Sequence, residues 1–277
     1  MKKILFPTDF SEVATNAFVH ALEFAKIVQG ELILLHSYDL PVFDEQFFHE
    51  NFKEIYDSLE LLQFDLFKDE IPKLRTIADG HHLGKIKMTH RLMGGDLTSN
   101  IKKAIQEDEI DFVVMGTSGA TDWDAFFVGS KSGSVIMGID VPMLCIPLGA
   151  KHKKIKTIGY RTRFKDEDKI ALKKVLNIAK KTNANVKCLY VKTQYSDISK
   201  DTIEKWEKEF EQEPIAFFVV TGDEIKDIVL DFVLEKKIDV LTMLTYKRGV
   251  FADIFKPRFA VNNTPNFEIP ILEIPVD

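Results

Sequence analysis

Cysteine is nearly absent: the 277 residues contain two. Cys145 and Cys188 both sit in apolar runs, PMLCIP and VKCLYV. They read as buried strand residues, with no disulfide framework and no thiolate metal site. Basic charge is not in excess either. Lys and Arg number 37 against 43 Asp and Glu, a net charge of -6. A duplex-binding surface usually brings a basic excess, so no nucleic-acid partner is expected. No apolar run is long enough to cross a bilayer, and no membrane partner is expected. The opening MKKILFPTDF has only a short apolar part that stops at Pro7-Thr8-Asp9, unlike a secretory signal. The expected setting is therefore a reducing cytoplasm. Catalytic sets are lacking too: position and context suggest no Ser-His-Asp or Cys-His arrangement. His81-His82 has no nearby cysteine or acid to complete a metal site and reads as a surface loop. His36, ending an apolar strand, is expected to be hydrogen-bonded in the core, and His20 sits on the first helix.

What is present is alternation. Hydrophobic residues make up 45% and charged residues 29%, as in an ordinary globular chain. Ile4 to Pro7 reads as a strand. A helix follows over Glu12 to Gln29, with Ser11 as N-cap and Gly30 as its stop. Strands are expected at Glu31 to His36, Lys85 to Leu92, Asp111 to Met115 and Pro142 to Pro147. Helices are expected at Phe47 to Ala78, with Pro72 as a kink or break, at Asp96 to Glu107 and at Ser130 to Met137. Continuous apolar strands separated by helices imply a parallel sheet covered on both faces, hence a doubly wound α/β domain.

The pattern then restarts. Lys154-Ile-Lys-Thr-Ile-Gly mirrors Lys2-Lys-Ile-Leu-Phe, and Ala25-Lys26 and Ala179-Lys180 lie 154 positions apart. Asp111-Phe-Val-Val-Met matches Asp239-Val-Leu-Thr-Met at an offset of 128. The smaller offset reflects a shorter middle in the second copy, where the long helix is cut down to Lys200 to Phe210. The expectation is a tandem duplication, residues 1–149 and 150–277. Each copy is expected to be a Rossmann-like α/β domain with a five-stranded, mostly parallel sheet.

Chemistry concentrates after the strand ending at Met115. Gly116, Gly119 and Gly129 are spaced G-x2-G-x9-G, with Ser130 next. Ligands of open α/β sheets bind past the carboxyl ends of the strands. Glycine lets backbone approach a phosphate, and a helix opening at Gly129-Ser130 offers free N–H groups to an anion. Together these suit a polyphosphate. Asp9, just past the first strand, can accept hydrogen bonds from ribose hydroxyls or a base. Taken alone it reads better as an acid at a helix N-terminus. Asp122 and Asp124, flanking Trp123, can help hold Mg²⁺ or simply lie in a solvated loop.

The first half resembles a universal stress protein domain of the adenine-nucleotide-binding kind. The opening ILFPTDFSEVATNA, the LLHSYD strand and the MGTSG…VGS motif before a Val-Pro strand carry the likeness. The family motif G-x2-G-x9-G-[ST] is met at every fixed position. The resemblance implies an adenine nucleotide alpha hydrolase-like fold that binds ATP, with Mg²⁺ as an added expectation. By that likeness Pro7 and Asp9 line the nucleoside end and Ser37 offers backbone to the adenine. Met115 and Gly116 flank the ribose and phosphates. Gly119, Gly129, Ser130 and Lys131 hold the phosphate chain. It implies an ATP-linked stress regulator rather than a fast enzyme, with at most weak ATPase activity, and dimerisation through the last strand.

The second copy departs from the motif. At the two offsets Pro7 becomes Arg161, Asp9 becomes Arg163, Gly116 becomes Leu244, Gly119 becomes Lys247, Gly129 becomes Pro257 and Ser130 becomes Arg258. Leu244 puts a side chain where a phosphate would sit, and Pro257 removes a backbone donor. The second domain is expected not to bind ATP in the family manner. Arg161, Arg163, Lys247, Arg248 and Arg258 either converge on an anion, pair with acids such as Asp166 or Asp253, or are simply solvated. Val250, Phe251, Ile254 and Phe255 read as a short amphipathic segment that packs over the vacant site or against the other domain. The expected whole is a nucleotide-responsive regulator in which ATP orders residues 117–130 and alters a surface seen by a protein partner, the two domains forming a pseudo-dimer that two chains can extend to a homodimer. The alternatives are a slow ATP hydrolase or phosphotransferase and a scaffold that binds no nucleotide.

Overall fold

The alternation of apolar runs and helical stretches becomes an α/β fold in the computed structural model, in which residues 1–39, 52–117, 131–196, 198–246 and 268–276 are described. The elements run β1 (Lys2–Pro7), α1 (Glu12–Val28), β2 (Gly30–Tyr38), α2 (Phe52–Gly80), β3 (Met88–Gly94), α3 (Leu97–Asp108) and β4 (Phe112–Thr117). They continue with α4 (Lys131–Gly138), β5 (Met143–Pro147), β6 (Thr157–Arg161), α5 (Asp166–Thr182), β7 (Asn185–Lys192), α6 (Lys200–Glu209), β8 (Ile215–Thr221), α7 (Ile225–Glu235), β9 (Val240–Tyr246) and β10 (Ile271–Val276). Two compact units result, Met1–Gly116 and Thr117–Asp277.

In the first unit the strands lie in the order β3-β2-β1-β4, and all pairs are parallel. Ile4, Leu5 and Phe6 are consecutive and fully buried, as a strand covered on both faces requires. Helix α1 buries Ala17, Phe18, Ala21, Leu22 and Ala25, and Phe18 meets Phe6 at 5.6 Å between ring centroids. In the second unit the order is β5-β10-β9-β6-β7-β8, parallel throughout except for the antiparallel pair β5–β10. The one antiparallel pair sets Ile271 opposite Cys145, Leu272 opposite Leu144 and Glu273 opposite Met143.

Small devices recur at the two offsets. The backbone amide of Lys3 donates to Asp111 Oδ2 at 2.8 Å and that of Asp111 to the Lys3 carbonyl at 2.9 Å. Thr157 and Asp239 make the same exchange, at 2.9 Å each way. The amide of Thr8 donates to the Leu35 carbonyl at 2.8 Å, and that of Thr162 to the Leu189 carbonyl at 2.9 Å. Phe10 and Phe164 both adopt positive φ, 61° and 57°. Their amides donate to Thr8 Oγ1 (3.0 Å) and Thr162 Oγ1 (2.8 Å).

One local expectation is corrected, and another is narrowed. The residue that ends α1 is Gln29, in the left-handed region with φ 57° and its N–H on the Ala25 and Lys26 carbonyls. Gly30 instead opens β2, where a Cβ would stand 2.7 Å from the Lys2 carbonyl oxygen; it serves the close approach of two strands. Pro72 lies inside α2 without breaking it. On that helix Phe67 and Leu74 are buried, while Leu61, Leu62, Phe64 and Leu66 are exposed. The expected start of the helix at Phe47 lies outside the described residues, as do the side chains of Phe52 and Ile55. Both thiols are buried. His81 and His82 are exposed in the turn after α2. Among the described residues no helix is long and apolar enough to cross a membrane.

Glu273 stands out in β10. It pairs with Met143 and Met243 on the neighbouring strands and is 1% exposed. Neither carboxyl oxygen makes a hydrogen bond of normal geometry. Burial pushes the group up to about 8, which the nearby Thr245 hydroxyl offsets only in part. Burial, and then Glu273, also push the Cys145 thiol well up. A proton held more tightly in the folded than in the unfolded chain stabilises fully below the ordinary carboxylate range and is lost as pH rises toward 8. The expected slope is about 1.4 kcal/mol per pH unit. Urea midpoints at pH 5, 7 and 9 should show Glu273→Gln gaining on the parent by roughly 4 kcal/mol across that range. Parallel profiles would show that the carboxyl is not titrating as its burial requires.

Candidate functional site

Three neighbouring strand ends of the first unit carry the expected ligand residues. The order β2-β1-β4 sets Ser37, Pro7 to Asp9, and Met115-Gly116 at the same, carboxyl, end of adjacent parallel strands. Pro7 closes β1 and is buried. The chain then turns sharply through Phe10, whose ring packs 5.0 Å from His36 and 5.9 Å from Phe67. His36 is buried, with Nδ1 at 2.8 Å from the Thr8 carbonyl oxygen. This anchored turn presents Asp9 to solvent. Its Oδ1 accepts from the amide (3.1 Å) and hydroxyl (2.6 Å) of Ser11, and Ser11 Oγ accepts from the Ala14 amide as the helix cap. An exposed carboxylate already oriented by two hydrogen bonds can accept more from a sugar or base.

Gly116 has a packing reason as well as the expected ligand one. A Cβ there would lie 2.8 Å from the Val13 carbonyl oxygen and 3.0 Å from Val13 Cγ1. The missing side chain lets the end of β4 close onto the first turn of α1. Met115 is buried. Ser37 donates its hydroxyl to the Gly95 carbonyl at 2.9 Å and accepts from Asn100 Nδ2 at 2.8 Å. Asn100 escapes a reading of the sequence, which sees only a polar residue beside the inward Ile101 and Ala104. Gly119, Gly129 and Ser130 lie outside the described residues, as do Asp122, Trp123 and Asp124 and the side chain of Lys131. Lys131 is the first residue of α4.

The matching end of the second unit is built differently. Asp168, fully buried on the first turn of α5, turns back over the loop after β6. Its Oδ2 accepts from Thr162 Oγ1 at 2.9 Å, from the Arg163 amide at 2.5 Å and from the Lys165 amide at 3.4 Å. Its Oδ1 accepts a short hydrogen bond from the Tyr246 hydroxyl at the end of β9. Its backbone carbonyl accepts from the Tyr160 hydroxyl at 2.5 Å. Arg163 and Lys165 stand over the Tyr246 ring, 5.0 and 5.2 Å from its centroid. Burial first, and then the Asp168 charge, hold the Tyr246 phenol protonated far above its ordinary range. The acid that organises this loop is thus Asp168, which a reading of the sequence did not single out. The only hint was an acid at the third helical position, where it can cap the loop amides. Leu244 sits on β9 opposite Ile274. Lys247, Arg248, Val250, Phe251, Asp253, Ile254, Phe255, Pro257 and Arg258 lie outside the described residues.

Residues 1–147 match the model of the universal stress protein family. The chain belongs to that family. A universal stress protein of Methanocaldococcus jannaschii is 26% identical over 152 residues, 52% of this chain and 94% of the relative. A second from the same archaeon is 27% identical over 149 residues, 52% of this chain and 81% of the relative. Over its whole length this universal stress protein has the fold of one from Archaeoglobus fulgidus, at a TM-score of 0.73, 17% identity, and coverage of 99% of this chain and 96% of that one. A universal stress protein from Pseudomonas aeruginosa follows at a TM-score of 0.65 and 12% identity, covering 100% of this chain and 94% of that one.

The Asp168 cluster carries a stability prediction for this universal stress protein. Asp168→Ala leaves several buried donors without an acceptor and should cost about 3 kcal/mol in urea unfolding. Tyr246→Phe removes one of them and should cost about 1 kcal/mol. Equal, negligible losses would mean that the network does not hold the loop.

Proposed function

We propose that this universal stress protein binds ATP, with Mg²⁺, in its first domain, and acts as a cytoplasmic stress-response regulator rather than a fast enzyme. The observation that carries the reading is the gathering of Asp9, Ser37 and Met115-Gly116 at one end of β2-β1-β4. The chain leaves that end directly into the G-x2-G-x9-G-Ser spacing. A carboxylate for the sugar and a glycine-rich run before a helix for the phosphates are the two halves of a nucleotide site. The recurrence of the same hydrogen bonds and the same positive-φ phenylalanine at fixed offsets supports reading the chain as a tandem pair, 1–149 and 150–277. The second domain is read as empty of nucleotide. It carries Arg163 where the first has Asp9, and its own Asp168 and Tyr246 occupy that strand end. Regulation then follows if ATP binds two conformations of the first domain unequally and shifts the surface offered to a protein partner.

Calorimetric titration of ATP-Mg into the whole chain, beside Gly119→Val, tests this. One site per chain in the parent, weakened at least tenfold in the variant, is expected. Two sites would overturn the reading of the second domain, and no binding would overturn the nucleotide reading itself.

A further inference from the structure

The end of β2 holds a polar cluster that neither the fold nor the glycine motif requires. Asn100, on α3, is 8% exposed. Its amide nitrogen is 2.8 Å from Ser37 Oγ, 3.2 Å from the Gly95 carbonyl oxygen, 3.3 Å from that of Gly94 and 3.4 Å from that of Met93. Ser37 closes the circuit by donating to the Gly95 carbonyl at 2.9 Å. Gly95 is held at φ 105° and donates its own N–H to the Tyr38 carbonyl at 2.9 Å. One side chain thus ties the last residues of β3, the turn after it and the end of β2 into a single arrangement.

The second unit shows what the fold alone needs here. Gly222 donates its N–H to the Lys192 carbonyl as Gly95 does to that of Tyr38, and α7, opening at Ile225 where α3 opens at Leu97, sets Ile228 in the place of Asn100. There Ile228 simply packs on the turn, its Cδ1 2.8 Å from where a Cβ of Gly222 would be. An aliphatic chain is enough for packing. Burying an amide instead forgoes hydrophobic stabilisation. What it gains is a fixed position for one hydroxyl and three carbonyl groups.

We propose that Asn100 is a positioning residue for the base end of the nucleotide site, setting base specificity through Ser37 and the Gly94-Gly95 turn. The inference rests on the nucleotide reading above. If the phosphates go to the glycines that follow β4, the order β2-β1-β4 sends the nucleoside past Asp9 toward β2, where this cluster stands. A base is told apart by its hydrogen-bonding edge. Polar groups fixed in place reject the wrong edge more strongly than mobile ones, because a mismatched group is left unpaired. Asn100 acts on the base through the groups it holds.

Asn100→Ile transplants the side chain that the second unit carries, and Asn100→Ser is a smaller, polar second variant. ATP, ADP and GTP, each with Mg²⁺, are titrated into the parent and both variants, with thermal unfolding of the nucleotide-free proteins alongside. The expected result is a loss of about tenfold in ATP affinity, an ATP-to-GTP ratio that moves toward one, and an unchanged ATP-to-ADP ratio. If the parent binds ATP and either folded variant keeps its ATP affinity and its ATP-to-GTP ratio, the inference is overturned. Equal losses for ATP and GTP would reduce Asn100 to a structural role and overturn it as well. A parent that binds no nucleotide fails earlier, and overturns the functional reading together with this one.

Discussion

Everything at the candidate site hangs from one sharp turn, the passage from β1 into α1 through Phe10. A non-glycine residue at positive φ costs on the order of 1 kcal/mol or more. Two things offset that cost. Thr8 Oγ1 takes the Phe10 amide, so the turn leaves no orphan donor. The half-buried Phe10 ring packs on His36 and Phe67, and partial burial of an aromatic of this size contributes about 1 kcal/mol. The turn thus fixes where Asp9 sits and where the helix begins. In the second unit Thr162 and Phe164 repeat it, with Phe164 among Tyr190, Trp206 and Phe217. The ring under the turn is His36 in one unit and Tyr190 in the other. The constraint is aromatic packing, and the individual residue is free to change.

Because the turn is the same, what it displays can be compared directly. The first unit shows a carboxylate, Asp9, fixed by Ser11. The second shows Arg163, and with it comes a buried carboxylate at Asp168, where the first unit has Ala14. The loop amides in the second unit are satisfied by the helix, from inside. A buried carboxylate is stable only when it is well paired, and Asp168 has backbone amides, two hydroxyls in reach and cationic neighbours over Tyr246. Such a network is costly to leave half satisfied, so any ligand entering there must first replace it. At the offset of 128 from Gly116, Gly119 and Gly129 the sequence carries Leu244, Lys247 and Pro257.

Much of this was legible in the sequence. The strands, the helices and the restart after residue 150 follow from apolar periodicity, and Ser11 as a cap from its place before the first helical turn. Devices that depend on a distant partner were not. Asp166, Glu167 and Asp168 look alike as first-turn acids; only the loop above tells them apart. Asn100 has meaning only beside the carbonyls of the next strand. The stretch 215–235, for which no element was expected, forms the edge strand β8 and then α7, which buries Val229, Phe232 and Val233. Gly30 looked like a helix stop because glycine commonly ends helices. Gln29 does that work, and the glycine answers to a carbonyl on the neighbouring strand.

Gly116 poses the same question at the site itself. A glycine at the end of a central strand invites a ligand explanation, yet this one is already required by Val13 of α1. Its presence alone therefore adds little to the case for a nucleotide. The weight falls on what packing leaves unexplained. Asp9 is exposed and oriented, with no buried role. Asn100 spends a buried amide where Ile228 shows that a hydrocarbon suffices. Gly119, Gly129 and Ser130 keep a spacing set by no strand or helix period. The two units also argue this by contrast. The packing devices recur in both, whereas the oriented carboxylate, the amide clamp and the glycine spacing occur together only in the first. Features that a shared fold does not need, gathered at one end of one sheet, are where function is to be sought.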